Sequence, residues 1–294
     1  MNTQDLCVPD ICVVHLVRKS NGIDPFRKFL ASYLYYPAGV NHELLIIFKG
    51  FSGGADISPY QDLLKNTPHT VLFLSDFGFD LRPYFVAAKK KNCTYMCFLN
   101  SFSEIQDDRW LLKIFSHITK PGVGLVGATG SWGSVCPGPL TTKKMLPLWK
   151  KLLRPLVWKA LRCYFQHYFA PFPNCHIRTN GFMIPRSIML NIRHRLLLTK
   201  MDVYRLESGK NSITKQVENM GLKAIVVGKN GRGYEKHEWN ESNTFWISDQ
   251  SNLLIADNQT RKFDLESLDE RSRLERFAWG LATESGRGNI PHAT

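Results

Sequence analysis

A chain of 294 residues with 44% hydrophobic content has enough apolar material for one large or two modest cores, which excludes a disordered or fibrous protein. It contains no uncharged apolar run of roughly eighteen residues, and Met1 to Pro9 lack a basic region leading into an apolar segment, so the expectation is a cytoplasmic protein with neither a spanning helix nor an export signal. The net charge of +13 is concentrated: the 93 residues between Asp108 and Asp202 hold 15 Lys or Arg and no acid, a one-signed surface suited to polyanions, phosphate groups or an acidic lipid face.

The seven cysteines (Cys7, Cys12, Cys93, Cys97, Cys136, Cys163 and Cys175) are odd in number, scattered and mostly inside apolar runs, which reads as reduced thiols in a cytosolic compartment. Cys93 and Cys97 lack a second pair, which argues against zinc.

Ile11 to Val17 is the first buried strand, ending in the polar loop Arg18 to Gly22. Asp24-Pro25 supplies an N-cap and a first-turn proline for a helix whose apolar stripe is Phe26, Phe29, Leu30, Tyr33 and Leu34. Leu44 to Phe48 is a second strand closed by Lys49 to Gly54, and Thr70 to Leu74 a third closed by Ser75 to Asp80. Pro83 to Lys91 is helical, and Tyr95 to Leu99 is a fourth strand that gives way to Asn100-Ser101-Phe102-Ser103. Asp107 or Asp108 is the expected N-cap of the next helix, striped by Trp110, Leu111, Ile114, Phe115 and Ile118.

Strands alternating with helices predict a parallel, doubly wound α/β sheet, and four polar tips on its carboxyl edge form a crevice suited to a nucleotide. Each tip taken singly is equally an ordinary turn. The glycines match neither the dinucleotide-binding nor the P-loop pattern, so those readings are weak.

Val123 to Gly127 is a further strand running into a small-residue loop that ends at Gly133. From Lys143 to Phe169, tryptophans, leucines and tyrosines interleave with lysines and arginines, a composition that suits either an anionic membrane surface or a helix with a solvated basic side. Ile177 to Ile184 reads as a strand, Arg186 to Leu198 and Ser212 to Met220 as helices, and Leu222 to Val227 as a strand. A last helix begins at Asp264, with Leu274, Phe277, Ala278 and Leu281 on one face, and a tail follows from Gly286.

In order and spacing, the stretch from Gly78 through Tyr95-Met96-Cys97-Phe98-Leu99-Asn100-Ser101, Trp110-Leu111 and Val123-Gly124-Leu125-Val126-Gly127 resembles the GT-A nucleotide-sugar glycosyltransferases of the family 2 type. Asp202 to Gly209, followed by a helix and Gly221, is similar to the segment that carries that family's catalytic base. The resemblance covers roughly residues 10–230. It implies a GT-A (Rossmann-like) mixed, mostly parallel sheet flanked by helices, a GT-A-like domain over residues 1–258 with a basic amphipathic insertion at about 140–172, a helical extension over 259–285 and a tail over 286–294.

The implied activity is transfer of a sugar from a nucleotide donor to a glycan or lipid-linked acceptor, of the surface polysaccharide or lipopolysaccharide type. The family's metal-binding Asp-x-Asp would fall at Asn100 to Ser103, where no carboxylate stands before Glu104. Mn or Mg therefore remains a possible cofactor whose usual site is absent, and Arg178, Arg186 or Lys200 is available to neutralise the diphosphate instead.

Glu207 is the expected base for the acceptor hydroxyl and Asp202 the reserve, although Glu207 would also serve as a helix cap. Arg18, Lys49, Asp76, Asp80, Asn100, Ser101, Ser103 and Arg178 are the expected donor contacts, and Trp132, Trp239, Trp246 and His237 the expected acceptor contacts, against core or surface roles for each. An anionic membrane surface is a candidate partner, which gives a peripheral position on the inner face of the membrane. Nucleic acid is not expected, since no RRM, zinc-finger or helix-turn-helix signature accompanies the charge. The competing reading is a catalytically degenerate GT-A module that binds a glycan or anionic lipid.

Overall fold

The computed structural model describes residues 10–136 and 154–280. The strands are β1 (Ile11–Arg18), β2 (Glu43–Lys49), β3 (Thr70–Leu74), β4 (Tyr95–Leu99), β5 (Glu104–Ile105), β6 (Val123–Gly127), β7 (Gly130–Ser131), β8 (His176–Ile177), β9 (Gly181–Pro185), β10 (Lys223–Val227), β11 (Gly233–Tyr234) and β12 (Ile255–Ala256). Eight form one sheet in the order β11-β10-β6-β9-β4-β1-β2-β3. Neighbours run parallel except where β9 lies antiparallel between β4 and β6, and β11 against β10. The fold is thus the mixed, mostly parallel, helix-flanked sheet expected.

Both faces of the sheet are covered, which explains the unbroken apolar runs. In β1, Cys12, Val14 and Leu16 point into one core while Ile11, Val13 and Val17 point into the other. Helices Asp24–Tyr35, Ser58–Leu64 and Trp110–Ile118 close the second core with Phe26, Phe29, Tyr60, Trp110 and Ile114. Helices Leu81–Lys90, Arg186–Asn191, Lys200–Ser208 and Ile213–Asn219 close the first with Tyr84, Met189, Leu206 and Val217.

Several boundaries differ from the sequence expectation. Neither Asp107 nor Asp108 caps the helix at Trp110: Arg109 holds the N-cap position in the left-handed region (φ 55°), its N–H donating to the Pro37 carbonyl, while Asp107 pairs with Lys113. Asp24 falls inside the first turn, where it accepts from Arg27 at 2.8 Å, and Ile23 is the cap residue.

The helix from Arg186 stops at Asn191, because the Gln216 amide brackets the Arg193 backbone, accepting its N–H (2.7 Å) and donating to its carbonyl (2.9 Å). The strand expected over Ile177 to Ile184 is two short strands, β8 and β9, separated by a turn at Arg178 to Asn180.

The last helix is two helices, Asn258–Leu265 capped by Asp257 and Leu268–Trp279 capped by Ser267; Asp264 lies in the final turn of the first and accepts from Gln250 at 2.8 Å. Of the basic stretch from Lys143, a helix spans Arg154–Tyr168; residues 143–153, and the tail beyond 280, lie outside the described residues.

Candidate active site

Three parallel strands deliver one ionic cluster to the carboxyl edge of the sheet. Lys49 ends β2 and is 0% exposed, and its ammonium donates to the Asp76 carboxylate (2.7 Å) and to the Asp76 carbonyl (3.0 Å). Arg18 ends β1 and pairs with Asp80 at 3.1 Å and with Asp76 at 3.6 Å, while its Nε has no partner among the described residues. The Lys49 hydrogen bond, more than the nearby Arg18 charge, holds the Asp76 carboxyl below its ordinary range. Four of the eight residues expected at the donor therefore meet, but first of all they bind one another, and buried Lys49 acts through Asp76 rather than on open space.

At the end of β4 the chain folds into a polar turn. Asn100 Oδ1 accepts from the Phe102 N–H (2.8 Å) and the Ser103 hydroxyl (3.2 Å), and Ser103 also donates to the Asn180 carbonyl at 2.7 Å. Ser101 and Ser103 are buried in this turn. Asn180, just before β9, accepts from the Thr129 hydroxyl at 2.6 Å and donates to the Ile255 carbonyl at 3.3 Å. Arg178 bonds Asp257 at 2.9 Å with its guanidinium 4.0 Å over the Phe245 ring, and Asp257, 1% exposed, accepts from the Gln259 and Thr260 N–H groups at the start of its helix.

Glu207 approaches this turn from the first core's side. Half-buried in helix Lys200–Ser208, it accepts from the Thr179 N–H at 3.0 Å, between Arg178 and Asn180. Burial pushes the pKa of Tyr84 well up, and the charges of Asp80 and, more weakly, Glu207 add to that rise. Its hydroxyl donates to the Leu99 carbonyl at 3.0 Å, at the end of β4. Burial lowers the pKa of His176, and the Glu207 charge partly opposes this. Through Thr179 and its neighbour Asn180, Glu207 is thus tied to the turn at the β4 tip.

Asp202 stands differently. It closes a capping box with Thr199, accepting the Thr199 N–H (2.9 Å) and hydroxyl (2.7 Å), and its other oxygen faces Arg205 at 3.4 Å. That carboxylate is engaged in starting the helix, which corrects its place as reserve base.

Among the expected acceptor contacts, Trp239 is 0% exposed, with its indole N–H on the Tyr234 carbonyl at 3.0 Å; it is core, because the 3-10 turn Lys236–Glu241 tucks it under β10. Trp132 and Trp246 are half-buried, their indole N–H groups bonded to the Lys236 and Gln259 carbonyls, and His237 is exposed on a separate concavity with Glu218, Lys223 and Glu235. Of the four, Trp239 is core and His237 lies on that concavity, while Trp246 stacks on Phe245, the ring beneath Arg178.

Asp257, Thr129, Asn180 and Arg261 were not foreseen at the site. Asp257 had a readable signal, an Asp three residues before Thr260 at a helix start, matching the capping pattern.

The donor set at the β4 tip does not fit a divalent cation. Asn100 has its side-chain oxygen committed to the turn, and Glu104 is paired with Arg261 at 2.8 Å. Among the described residues no group of three His, Cys, Asp or Glu side chains is arranged to hold a metal.

No protein-family model and no curated protein matches the chain. Solved structures similar to it include a mannosyltransferase and a xylosyltransferase. A mannosyltransferase from Pyrobaculum calidifontis, in complex with GDP-Man and Mn2+, is 11% identical with a TM-score of 0.48, over 74% of this chain and 54% of that one. S. aureus TarS 1-349 is 13% identical with a TM-score of 0.42, over 71% and 56%. Apo mouse xyloside xylosyltransferase 1 is 13% identical with a TM-score of 0.39, over 74% and 85%. The chain spans a little over half the length of the first two, and a likeness at these scores assigns it neither donor nor acceptor.

Proposed function

We propose that the chain transfers a sugar from a nucleotide donor to a hydroxyl of a glycan or lipid-linked acceptor, of the kind built into surface polysaccharides. The observation that carries this reading is the setting of Glu207: a half-buried carboxylate oriented by the Thr179 N–H, beside Asn180, whose carbonyl accepts from Ser103 and the Asn100 N–H in the polar turn at the end of β4.

In an inverting transfer Glu207 takes the proton of the acceptor hydroxyl as its oxygen bonds to the anomeric carbon, and the bond from that carbon to the nucleotide diphosphate breaks with its electron pair going to the phosphate. Arg178, next to Thr179, and Arg18, at the tip of β1, are the cations assigned to that developing charge, through guanidinium hydrogen bonds to phosphate oxygens. No step is assigned to a metal.

The test begins with melting temperature against a panel of UDP-, GDP-, CMP- and dTDP-sugars in EDTA, since a ligand that binds only the native chain raises it. One compound should give a shift that persists in EDTA. Glu207→Gln should keep that shift while turnover falls by roughly 10²- to 10⁴-fold. The second reading, a binding module without chemistry, is favoured by the committed Asn100 side chain at the β4 tip; donor binding with no transfer or hydrolysis in the parent chain would establish it.

A further inference from the structure

The loop Ile192 to Thr199, with Arg205 and Leu206 of the helix that also carries Glu207, forms a surface that the catalytic reading does not use. Behind it lies a cavity of about 270 Å³ lined by His167, Tyr168, Arg193, Arg195, Arg205 and Lys210, among others, with Leu197 and Leu206 also in its wall. The one carboxylate in that wall, Asp202, is engaged by its capping box and Arg205. Arg205 lies over the Tyr168 ring at 3.7 Å, and its Nε has no partner among the described residues. Arg193 and Arg195 are exposed and, among the described residues, neither pairs with an acid.

Large apolar side chains stand beside this basic hollow. Leu196 is 74% exposed, Leu198 44% and Phe77 55%. The Phe79 N–H donates to the Leu197 carbonyl at 2.9 Å, so the turn bearing Phe77 and the loop bearing the leucines are one patch. Arg82 rests over Phe77 and Lys200 over Tyr204, adding two more cations at its border. Single exposed leucines need no explanation, but protruding leucines bordered by arginines match the chemistry of an anionic bilayer, hydrocarbon for the leucines and phosphoryl headgroups for the arginines; the acids beside Phe77, Asp76 and Asp80, are paired with Lys49 and Arg18.

We propose that this face docks the chain on an anionic phospholipid bilayer, with Leu196, Leu198 and Phe77 entering the headgroup boundary and the cavity of Arg193, Arg195, Arg205 and Lys210 seating a lipid phosphoryl group. The surface differs from the Lys143 to Phe169 stretch that the sequence pointed to, sharing, among the described residues, His167 and Tyr168 with it. It is independent of the role given to Glu207.

The test is co-sedimentation of the full chain with vesicles of pure phosphatidylcholine and with vesicles holding phosphatidylglycerol. The parent should bind the anionic vesicles at least about tenfold more tightly at low salt. Arg193→Glu with Arg195→Glu should lose roughly tenfold or more of that affinity, and Leu196→Ser with Leu198→Ser should weaken it in physiological salt, where screening leaves the apolar term. Both variants should melt as the parent does, their side chains being exposed, and Glu207→Gln should bind vesicles unchanged.

Equal binding to the two vesicle types, or full retention by either paired variant, would overturn the proposal. Saturable binding of inorganic pyrophosphate that depends on Arg193 and Arg195, without vesicle binding, would overturn it in favour of a soluble phosphoryl ligand.

Discussion

His15 lies in the middle of β1, fully buried, its ring stacked on Phe29 with centroids 3.6 Å apart and planes 4° from parallel. Neither ring nitrogen has a partner among the described residues. Burial pushes its pKa down to about 3 from the ordinary 6.5. An unfolded chain takes up this proton below about pH 6.5, while the native chain does not until about pH 3, so the unfolded state binds more protons across that window.

The contribution is therefore complete above pH 6.5 and is lost as pH falls: linkage gives about 2 kcal/mol lost by pH 5 and about 4 kcal/mol by pH 3. His15→Leu abolishes this share of the acid sensitivity. At pH 7 the variant should be no less stable than the parent, because an unpartnered polar group leaves the core. Urea unfolding at pH 7 and pH 5 checks it: the parent should lose about 2 kcal/mol more than the variant between the two. Parallel losses in both proteins would refute the reasoning, showing that the imidazole is protonated as readily in the native chain as in the unfolded one.

Asp76→Asn should cost more stability than Lys49→Met, on the order of 1–3 kcal/mol against near zero in thermal or urea unfolding, because the first leaves a buried ammonium short of its carboxylate while the second leaves a carboxylate with access to water. The depressed Asp76 carboxyl contributes stability that is present above its ordinary pKa of about 4 and is lost as pH falls through the lowered value; Asp76→Asn should flatten the unfolding profile there. Arg178→Met leaves the Asp257 carboxylate buried with only its capping N–H partners and should destabilise by roughly 2–4 kcal/mol, and Asp257→Asn should recover part of that in the double variant. Gly130→Ala places a methyl 2.8 Å from the Trp239 ring and 2.9 Å from Val226, so it should lower stability by about 1–3 kcal/mol through overpacking.

The central strands could be read from sequence because a parallel strand covered on both faces is apolar throughout, as Ile11 to Val17 and Leu44 to Phe48 are. The polar tips were readable for the complementary reason, since charge begins where cover ends. What pairs with what was not: Lys49 and Asp76 are 27 residues apart and Arg18 and Asp80 62, and no local pattern announces that expected ligand contacts neutralise each other. Trp239 is core through a 3-10 turn that has no periodic signature, and β5 and β12, two residues each, exist only as a pair. The capping roles of Asp202 and Asp257 were legible in principle, through Thr199 three residues before the one and Thr260 three after the other, and the family-like setting of Asp202 drew attention from it.

The antiparallel strand β9 bears on how this scaffold could be recombined. Among the described residues it is the only sheet connection between the β1–β4 half and the β6–β10 half, and Asn180 at its entry bonds the Asn100 turn, Thr129 and Ile255 at once. A graft that exchanged either half for that of a distant relative would cut across this seam. The segment Arg178 to Pro185 would have to travel with both its neighbours or be redesigned to suit both. The two halves are thus not interchangeable modules, and a change of substrate on one side is constrained by the bonding that the same eight residues owe to the other.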